Sequence, residues 1–410
     1  MKILIGTVEK SNMLELYKKA FQSLGHDVIS IAEPHPFFKD NKYTHDLTKP
    51  SFLFRPFKNK LFAPLNTVRW FIAKRWVILH KLFLYHRYRN NIDLILVLGD
   101  GFYSDVVTDF KFLNKKNKKI VQVFFGGDAR CWEAFNQEYK IDISTIEKEP
   151  INNANFNAIL TRLRKAELYA NSIYSLPDQA GLALRPFFRL YMPFEYQKYK
   201  FTVNSRTVPK VIHIESKLPY KGEPFIYEAI DNLKKQGLEF DFQAYKNLSH
   251  EEVINKLEDA DILVDEVMIF GPGTLTYEAI ACGCAVATKV QEGHIVKNYL
   301  CNLQTEDIEK PLKAFILNKE KRISDLNKAY EVLKNVNDPQ NIAQDIIQRS
   351  ETDIYDFAKY DYQANFFAKG YHLPAGHTVS EQNKKLTRMV FDKYYKDEQL
   401  KQSLIERNLM

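Results

Sequence analysis

The stretch Asp265-Glu-Val-Met-Ile-Phe-Gly-Pro-Gly-Thr-Leu-Thr-Tyr-Glu278, followed by Ala-Ile-Ala-Cys-Gly283, combines the groups needed to hold a phosphorylated ligand. A β-prone segment runs into the loop Gly271-Pro-Gly273-Thr274, and the loop opens a helix. The first N–H groups of a helix have no intrahelical acceptor and lie at the positive end of its dipole. A phosphate or pyrophosphate can therefore rest there without a side-chain cation. Gly271 and Gly273 let the backbone come close to such an anion. Glu278, about one turn further in, offers two acceptor oxygens and no donor, which suits the paired hydroxyls of a ribose or a sugar. Gly-Pro-Gly is also ordinary turn chemistry, and a carboxylate near a helix start favours the dipole in any protein, so the surrounding elements must decide.

Those elements alternate. Lys210-Val-Ile-His213-Ile reads as a short apolar strand leading into a basic loop with Lys217 and Lys221-Gly222, then a helix from Pro224 to Lys235. Phe240 to Tyr245 reads as a second strand, Ser249-His-Glu-Glu252 is a capping-box start for a helix over 251–258, and Ala260 to Asp265 supplies a third strand before the glycine loop. Short strands alternating with helices predict a parallel sheet with ligand loops at the strand carboxyl ends. Fixed positive charge beside N–H dipoles there would stabilise charge building on a leaving diphosphate, a role open to Lys221 and Lys217. An exposed loop lysine such as Lys217 is as often merely solvated. Tyr245 ends its strand where a nucleotide base would rest, with stacking and plain packing both open. His213, inside an apolar strand, reads first as a core residue.

The first half has the same build. Strand Lys2 to Ile5, helix from about Met13 to Leu24, and strand Asp27 to Ile31 form a βαβ opening, with Gly25 ending the helix in a left-handed cap. A helix over about Asn66 to Tyr88, strands at Leu94–Leu98 and Ile120–Phe125, a helix near 153–169 and a strand at Ile173 follow. Gly126-Gly127-Asp128-Ala-Arg130, at a strand end, is the candidate acceptor-side loop. Asp128 could take a proton from an attacking hydroxyl or hold a sugar OH, or it could cap the next helix and pair with Arg130. Asp100, in Gly99-Asp-Gly101, carries the same two readings.

The order His-x7-Lys-Gly, Ser-His-Glu-Glu-Val, Ala-Asp-Ile-x-Val-Asp and Gly-x-Gly-x4-Glu-Ala-x-Ala-x-Gly resembles the nucleotide-sugar domain of GT-B glycosyltransferases of the family 4 type, closely over 208–290 and loosely elsewhere. The resemblance implies an α/β fold of two Rossmann-like domains facing across a cleft, with C-terminal helices crossing back to the first. The expected division is 1–195, a linker 196–207, 208–335, and a helical tail 336–410. It further implies that Gly271, Gly273 and Thr274 meet the donor diphosphate, that Lys221 neutralises it, and that Glu278 binds the ribose. Many members carry a second Glu eight residues before the ribose-binding one, near the transferred sugar. Here that position is Phe270.

Composition bounds the rest. At 410 residues the chain is too long for one ordinary core, and 45% apolar with 13% aromatic residues can support two. No run is long and apolar enough for a spanning helix, and Met1-Lys-Ile-Leu-Ile-Gly6 leads straight into a strand rather than reading as a cleavable signal. Cys131, Cys282, Cys284 and Cys301 lack disulfide-scaffold or zinc spacing and read as core thiols, so the expectation is a reducing cytoplasm with no metal and no bound cofactor beyond the nucleotide sugar.

The net charge of +7 is concentrated. No acidic residue lies between Asp46 and Asp93, while Lys49, Arg55, Lys58, Lys60, Arg69, Lys74, Arg75, Lys81, Arg87 and Arg89 supply ten positive charges. On the 66–89 helix, Val68, Phe71, Ile72, Leu79, Leu82 and Phe83 form the apolar face expected to pack on the sheet. Trp70, Val77 and Leu84, framed by Lys74 and Lys81, are expected on the opposite side. There they either contact an anionic membrane surface or lie under the C-terminal helices. No nucleic-acid motif accompanies the charge.

The expected function is a transferase that moves a sugar from a nucleotide-diphosphate donor to a glycan or lipid-linked glycan, with retention of configuration. It would work in the cytoplasm, peripheral on the inner face of the membrane. A nucleotide-sugar epimerase and a non-catalytic GT-B subunit are the alternatives on the same fold.

Overall fold

The structure, a computed structural model, describes residues 1–32, 41–47, 63–99, 118–139, 153–179, 181–215, 221–351, 360–361, 372–373 and 376–410. Asp100 and Lys217 fall outside the described residues, as do the side chains of Trp70 and Lys74. The chain forms two compact units, one from 1–140, 151–192 and 342–410, the other with 193–341.

The first unit opens with β1 (Lys2–Thr7), α1 (Met13–Ser23), β2 (Asp27–Ala32), β3 (His45–Asp46) and α2 (Ala63–Tyr88). It continues with β4 (Leu94–Leu98), β5 (Lys119–Val123), α3 (Trp132–Tyr139), α4 (Asn153–Tyr169), β6 (Ser172–Ser175) and β7 (Phe188–Arg189). The strands pair in the order β3-β2-β1-β4-β5-β6-β7, every described pair parallel. A parallel sheet is covered on both faces, which is why β4 is the unbroken apolar run Leu94-Ile-Leu-Val-Leu98 with every residue buried. The strand order reverses between β1 and β4, so the crevice at their carboxyl ends, by Val8 and Gly99, is the natural ligand position. Buried Gln122 on β5 holds that edge by donating from Nε2 to the Gly99 carbonyl at 2.9 Å.

The second unit runs β8 (Lys210–Ile214), α5 (Glu223–Lys235), β9 (Asp241–Tyr245), α6 (His250–Glu258), β10 (Ile262–Val264), α7 (Thr274–Cys282), β11 (Ala285–Thr288), β12 (Cys301–Asn302), α8 (Glu309–Leu317) and α9 (Lys319–Val336). Its order, β12-β11-β10-β8-β9, is again parallel, with the reversal between β8 and β10. The capping box of α6 forms as expected: Ser249 Oγ accepts from the Glu252 N–H, and Glu252 accepts from the Ser249 N–H at 2.7 Å.

Helix α10 (Pro339–Glu351) leads back into the first unit, where α11 (Glu381–Tyr394) and α12 (Glu398–Glu406) also lie. Ile342, Ala343 and Ile346 join the core on one face of the first sheet, and Leu386, Val390, Phe391 and Leu404 join the core on the other. Buried polar groups lock this return. The Arg185 guanidinium donates to the carbonyls of Ala170 (2.9 Å) and Asn171 (2.8 Å) and to the Tyr360 hydroxyl (2.8 Å). Fully buried Arg164 pairs with Glu167 at 2.6 Å and donates from Nε to Thr387 Oγ1 on α11 at 3.0 Å.

Helix α2 packs the other way round from the expectation. Val77, Lys81 and Leu84 are buried, whereas Val68, Phe71, Ile72, Leu79 and Phe83 are exposed. Val77, Lys81 and Leu84 therefore cannot contact a membrane, and Val68, Phe71, Ile72, Leu79 and Phe83 do not pack on the sheet; the side chain of Leu82 lies outside the described residues. The buried side is selected by polar fit. Lys81 Nζ reaches Thr7 Oγ1 at 3.3 Å at the end of β1, and the Tyr88 hydroxyl bonds His45 Nε2 at 2.7 Å. All four cysteines are buried free thiols. Among the described residues, no helix is long and apolar enough to cross a membrane.

Candidate active site

The glycine loop leaves β10 at the reversal point of the second sheet, where the loop after β8 also ends. Gly273 is extended (φ −97°, ψ −174°) and stands at the N-cap of α7, and no side chain caps that end. The leading N–H groups at Gly273, Thr274 and Leu275 thus form the open, positive mouth of the helix. The Gly271 N–H is not among these free donors. It donates to the Lys289 carbonyl at 2.7 Å, which stitches the loop to the chain after β11. A Cβ at Gly271 would stand 2.9 Å from Thr288 Oγ1, so this glycine serves close packing.

Lys221 lies beside this mouth, held by the loop after β10. Its Nζ is 2.7 Å from Asp265 Oδ1, while Thr276 Oγ1 donates to Asp265 Oδ2 at 2.8 Å, so buried Asp265 ties the lysine to the first turn of α7. Burial works against the charged amine, but the charge and hydrogen bond of Asp265, with Glu266 and Glu223 nearby, outweigh it and hold the pKa of Lys221 above the ordinary lysine value. The amine therefore stays charged at neutral pH and has one of its three donors committed to Asp265.

Buried Glu278 faces α6, where His250 Nε2 lies 2.9 Å from Glu278 Oε1. That hydrogen bond raises the pKa of His250 above 6.5. A histidine with a raised folded-state pKa adds stability that is fully present below its unfolded value and is lost as pH rises through the folded value. Unfolding titrations of the wild type should therefore lose a small increment as pH rises above 6.5, and His250→Ala should lack that slope; identical pH profiles would remove the pair from the account.

Two further groups at the loop escaped sequence reasoning. Glu266 Oε1 comes within 3.3 Å of where a Gly273 Cβ would stand, which puts a carboxylate against the anion mouth. Lys289 is buried, with its Nζ 5.2 Å from the Phe270 ring centroid, and burial lowers its pKa. Phe270 thus stacks with a cation at the position where the resembled family often has a Glu. Lys289 lies 19 residues beyond Phe270, so no local pattern announced it, whereas Glu266 stands within the loop stretch itself but its side-chain direction is not set by spacing.

His213 is buried with Nδ1 2.8 Å from the Val264 carbonyl, which assigns the ring proton to Nδ1. Burial lowers its pKa, so it is a neutral residue tying β8 to β10. Tyr245 lies under Lys256, whose Nζ is 4.8 Å from the ring centroid.

In the first unit, Asp128 folds back on its own turn and accepts from the N–H groups of Phe125 (3.0 Å) and Gly126 (2.7 Å). Arg130 pairs with buried Asp178 at 3.0 Å, and not with Asp128 as one reading expected. Burial raises the pKa of Asp128, yet both of its oxygens are engaged by the backbone, so the local geometry is that of a turn-fixing residue. A Cβ at Gly127 beside it would meet nothing within 4 Å.

No protein-family model matches the sequence, and no curated protein matches it. Solved structures do match the fold. A sucrose-phosphate synthase from Thermosynechococcus elongatus superposes with a TM-score of 0.54 at 11% identity, covering 85% of this chain and 97% of that one. Trehalose-6-phosphate synthase OtsA gives 0.50 at 11% identity, covering 86% and 99%. An E. coli structure, described as trehalose-6-phosphate bound with UDP-2-fluoro glucose, gives 0.50 at 10% identity, covering 86% and 99%. The architecture is the α/β fold of the GT-B glycosyltransferases.

Proposed function

We propose that the chain is a glycosyltransferase that takes a sugar from a nucleotide-diphosphate donor and places it on a glycan or lipid-linked glycan acceptor at the cytoplasmic face of a membrane. The observation that carries this reading is the uncapped mouth of α7 beside a Lys221 that is charged at neutral pH and a buried Glu278. In this reading the Gly273–Leu275 amides and Lys221 hold the diphosphate and stabilise the charge that builds on it as the glycosidic bond breaks. Glu278 accepts from the ribose hydroxyls, held in place by His250. Glu266 would repel phosphate from its position and is suited to accept from hydroxyls of the transferred sugar. In a retaining reaction the leaving phosphate oxygen takes the proton of the attacking hydroxyl, so the engaged carboxylate of Asp128 is not required as a base. In this reading Lys221 and the amides supply the positive charge, so that the reaction needs no metal ion or further cofactor. The matched synthases, one with a UDP-sugar analogue, support the class of donor.

The stacked Phe270–Lys289 pair favours a second reading, a non-catalytic GT-B subunit that binds nucleotide without turnover. Incubation with a panel of nucleotide sugars, with and without EDTA, separates the two. The leading reading predicts slow release of nucleoside diphosphate from one donor, insensitive to EDTA and lost in Glu278→Ala. Binding without release supports the subunit, and conversion of the sugar while still attached supports an epimerase.

A further inference from the structure

The reversed packing of α2 leaves a surface with no described partner. Val68 (53% exposed), Phe71 (53%), Ile72 (46%), Trp76 (49%), Leu79 (62%) and Phe83 (61%) all point to solvent from one side of a 26-residue helix. At about 100° per residue these six positions fall within one stripe, directly opposite buried Val77, Lys81 and Leu84. Isolated exposed apolar residues need no explanation, but six large ones side by side do. Arg75 lies within the stripe, its guanidinium 5.0 Å from the Phe71 ring centroid, and exposed Arg87 lies at its edge. The helix contains no Asp or Glu.

We propose that this face of α2 is a docking surface for an anionic lipid bilayer, with the helix lying in the plane of the interface. Apolar side chains flanked by arginines, with no acidic residue, match the layered chemistry of a bilayer surface, where acyl chains lie beneath negatively charged headgroups. The charge also argues against a second copy as the occupant, because two such faces would bring like charges together. This inference rests on the proposed function only for its purpose, namely access to a lipid-linked acceptor; the docking itself depends on α2 alone.

The test is sedimentation with phosphatidylcholine vesicles, with and without phosphatidylglycerol, together with the fluorescence of a Trp70→Phe/Trp132→Phe variant in which Trp76 is the only tryptophan. Binding should require the anionic lipid, weaken with salt, and shift the Trp76 emission to the blue. Phe71→Ser/Leu79→Ser/Phe83→Ser should lower partitioning by about a hundredfold or more with an unchanged melting temperature. Unchanged partitioning of that triple variant would overturn the proposal, as would a wild type that dimerises through this face and ignores vesicles. Binding of uridine and guanosine diphosphate, measured on the same samples, keeps the proposals apart: the absence of both would sink the transferase reading while the vesicle result stands.

Discussion

Gly283→Ala should destabilise the second unit by more than about 3 kcal/mol. Gly283 ends α7 with φ 84°, a left-handed conformation that costs an L-residue about 1–2 kcal/mol. Its neighbour adds a steric cost: a Cβ there would lie 2.4 Å from the Thr202 carbonyl oxygen and 2.5 Å from the Thr202 carbonyl carbon. These are backbone atoms, joined to the end of α7 by the Thr202 N–H to Cys282 carbonyl bond, so neither can rotate away. Gly237→Ala is the control. That glycine has φ 79° in the same unit and nothing within 4 Å of its Cβ position, so it should cost only about 1–2 kcal/mol. Urea unfolding of both variants checks the pair, and equal losses would show that the Thr202 contact does not matter.

Thr274→Pro should weaken nucleoside diphosphate binding by at least about tenfold while leaving α7 intact. Thr274 is the first residue of the helix, where proline is tolerated because that N–H has no intrahelical acceptor. Gly273 before it is already extended, as a residue preceding proline must be. The substitution therefore removes the Thr274 N–H and hydroxyl from the helix mouth while keeping the start of α7 in place. Hydrogen bonds to charged groups are worth about 1.5–3 kcal/mol, which sets the size of the loss. Titration calorimetry with uridine or guanosine diphosphate reads it, and full affinity in a folded variant would place the anion elsewhere.

What could be read from the sequence was what local chemistry determines. Strand β4 spans Leu94–Leu98 as its apolar run predicts, the Ser249/Glu252 capping box forms, and α7 starts where Gly273-Thr274 places it. The alternation of strands and helices was enough for the parallel sheets, while the GT-B architecture came from the motif resemblance over 208–290. The orientation of α2 was not legible because the helix is apolar on nearly every side, so periodicity could not choose the buried face. The choice was made by Lys81 finding Thr7 and Tyr88 finding His45, partners 74 and 43 residues away. The same limit applies at the site. Asp265 reaches Lys221 across 44 residues, His250 reaches Glu278 across 28, and the Gly271 amide is consumed by Lys289. Asp128 was ambiguous for a different reason: a carboxylate after two glycines can serve a ligand or its own turn, and only the geometry distinguishes the two.

The most direct test of the account is the amide spectrum of protein labelled with nitrogen-15 at glycine, threonine and leucine, recorded as uridine or guanosine diphosphate is added. The account predicts that the Gly273, Thr274 and Leu275 resonances move most while Gly271, already bonded to the Lys289 carbonyl, moves little. Saturable shifts confined to other parts of the chain, or none at these three amides, would contradict it.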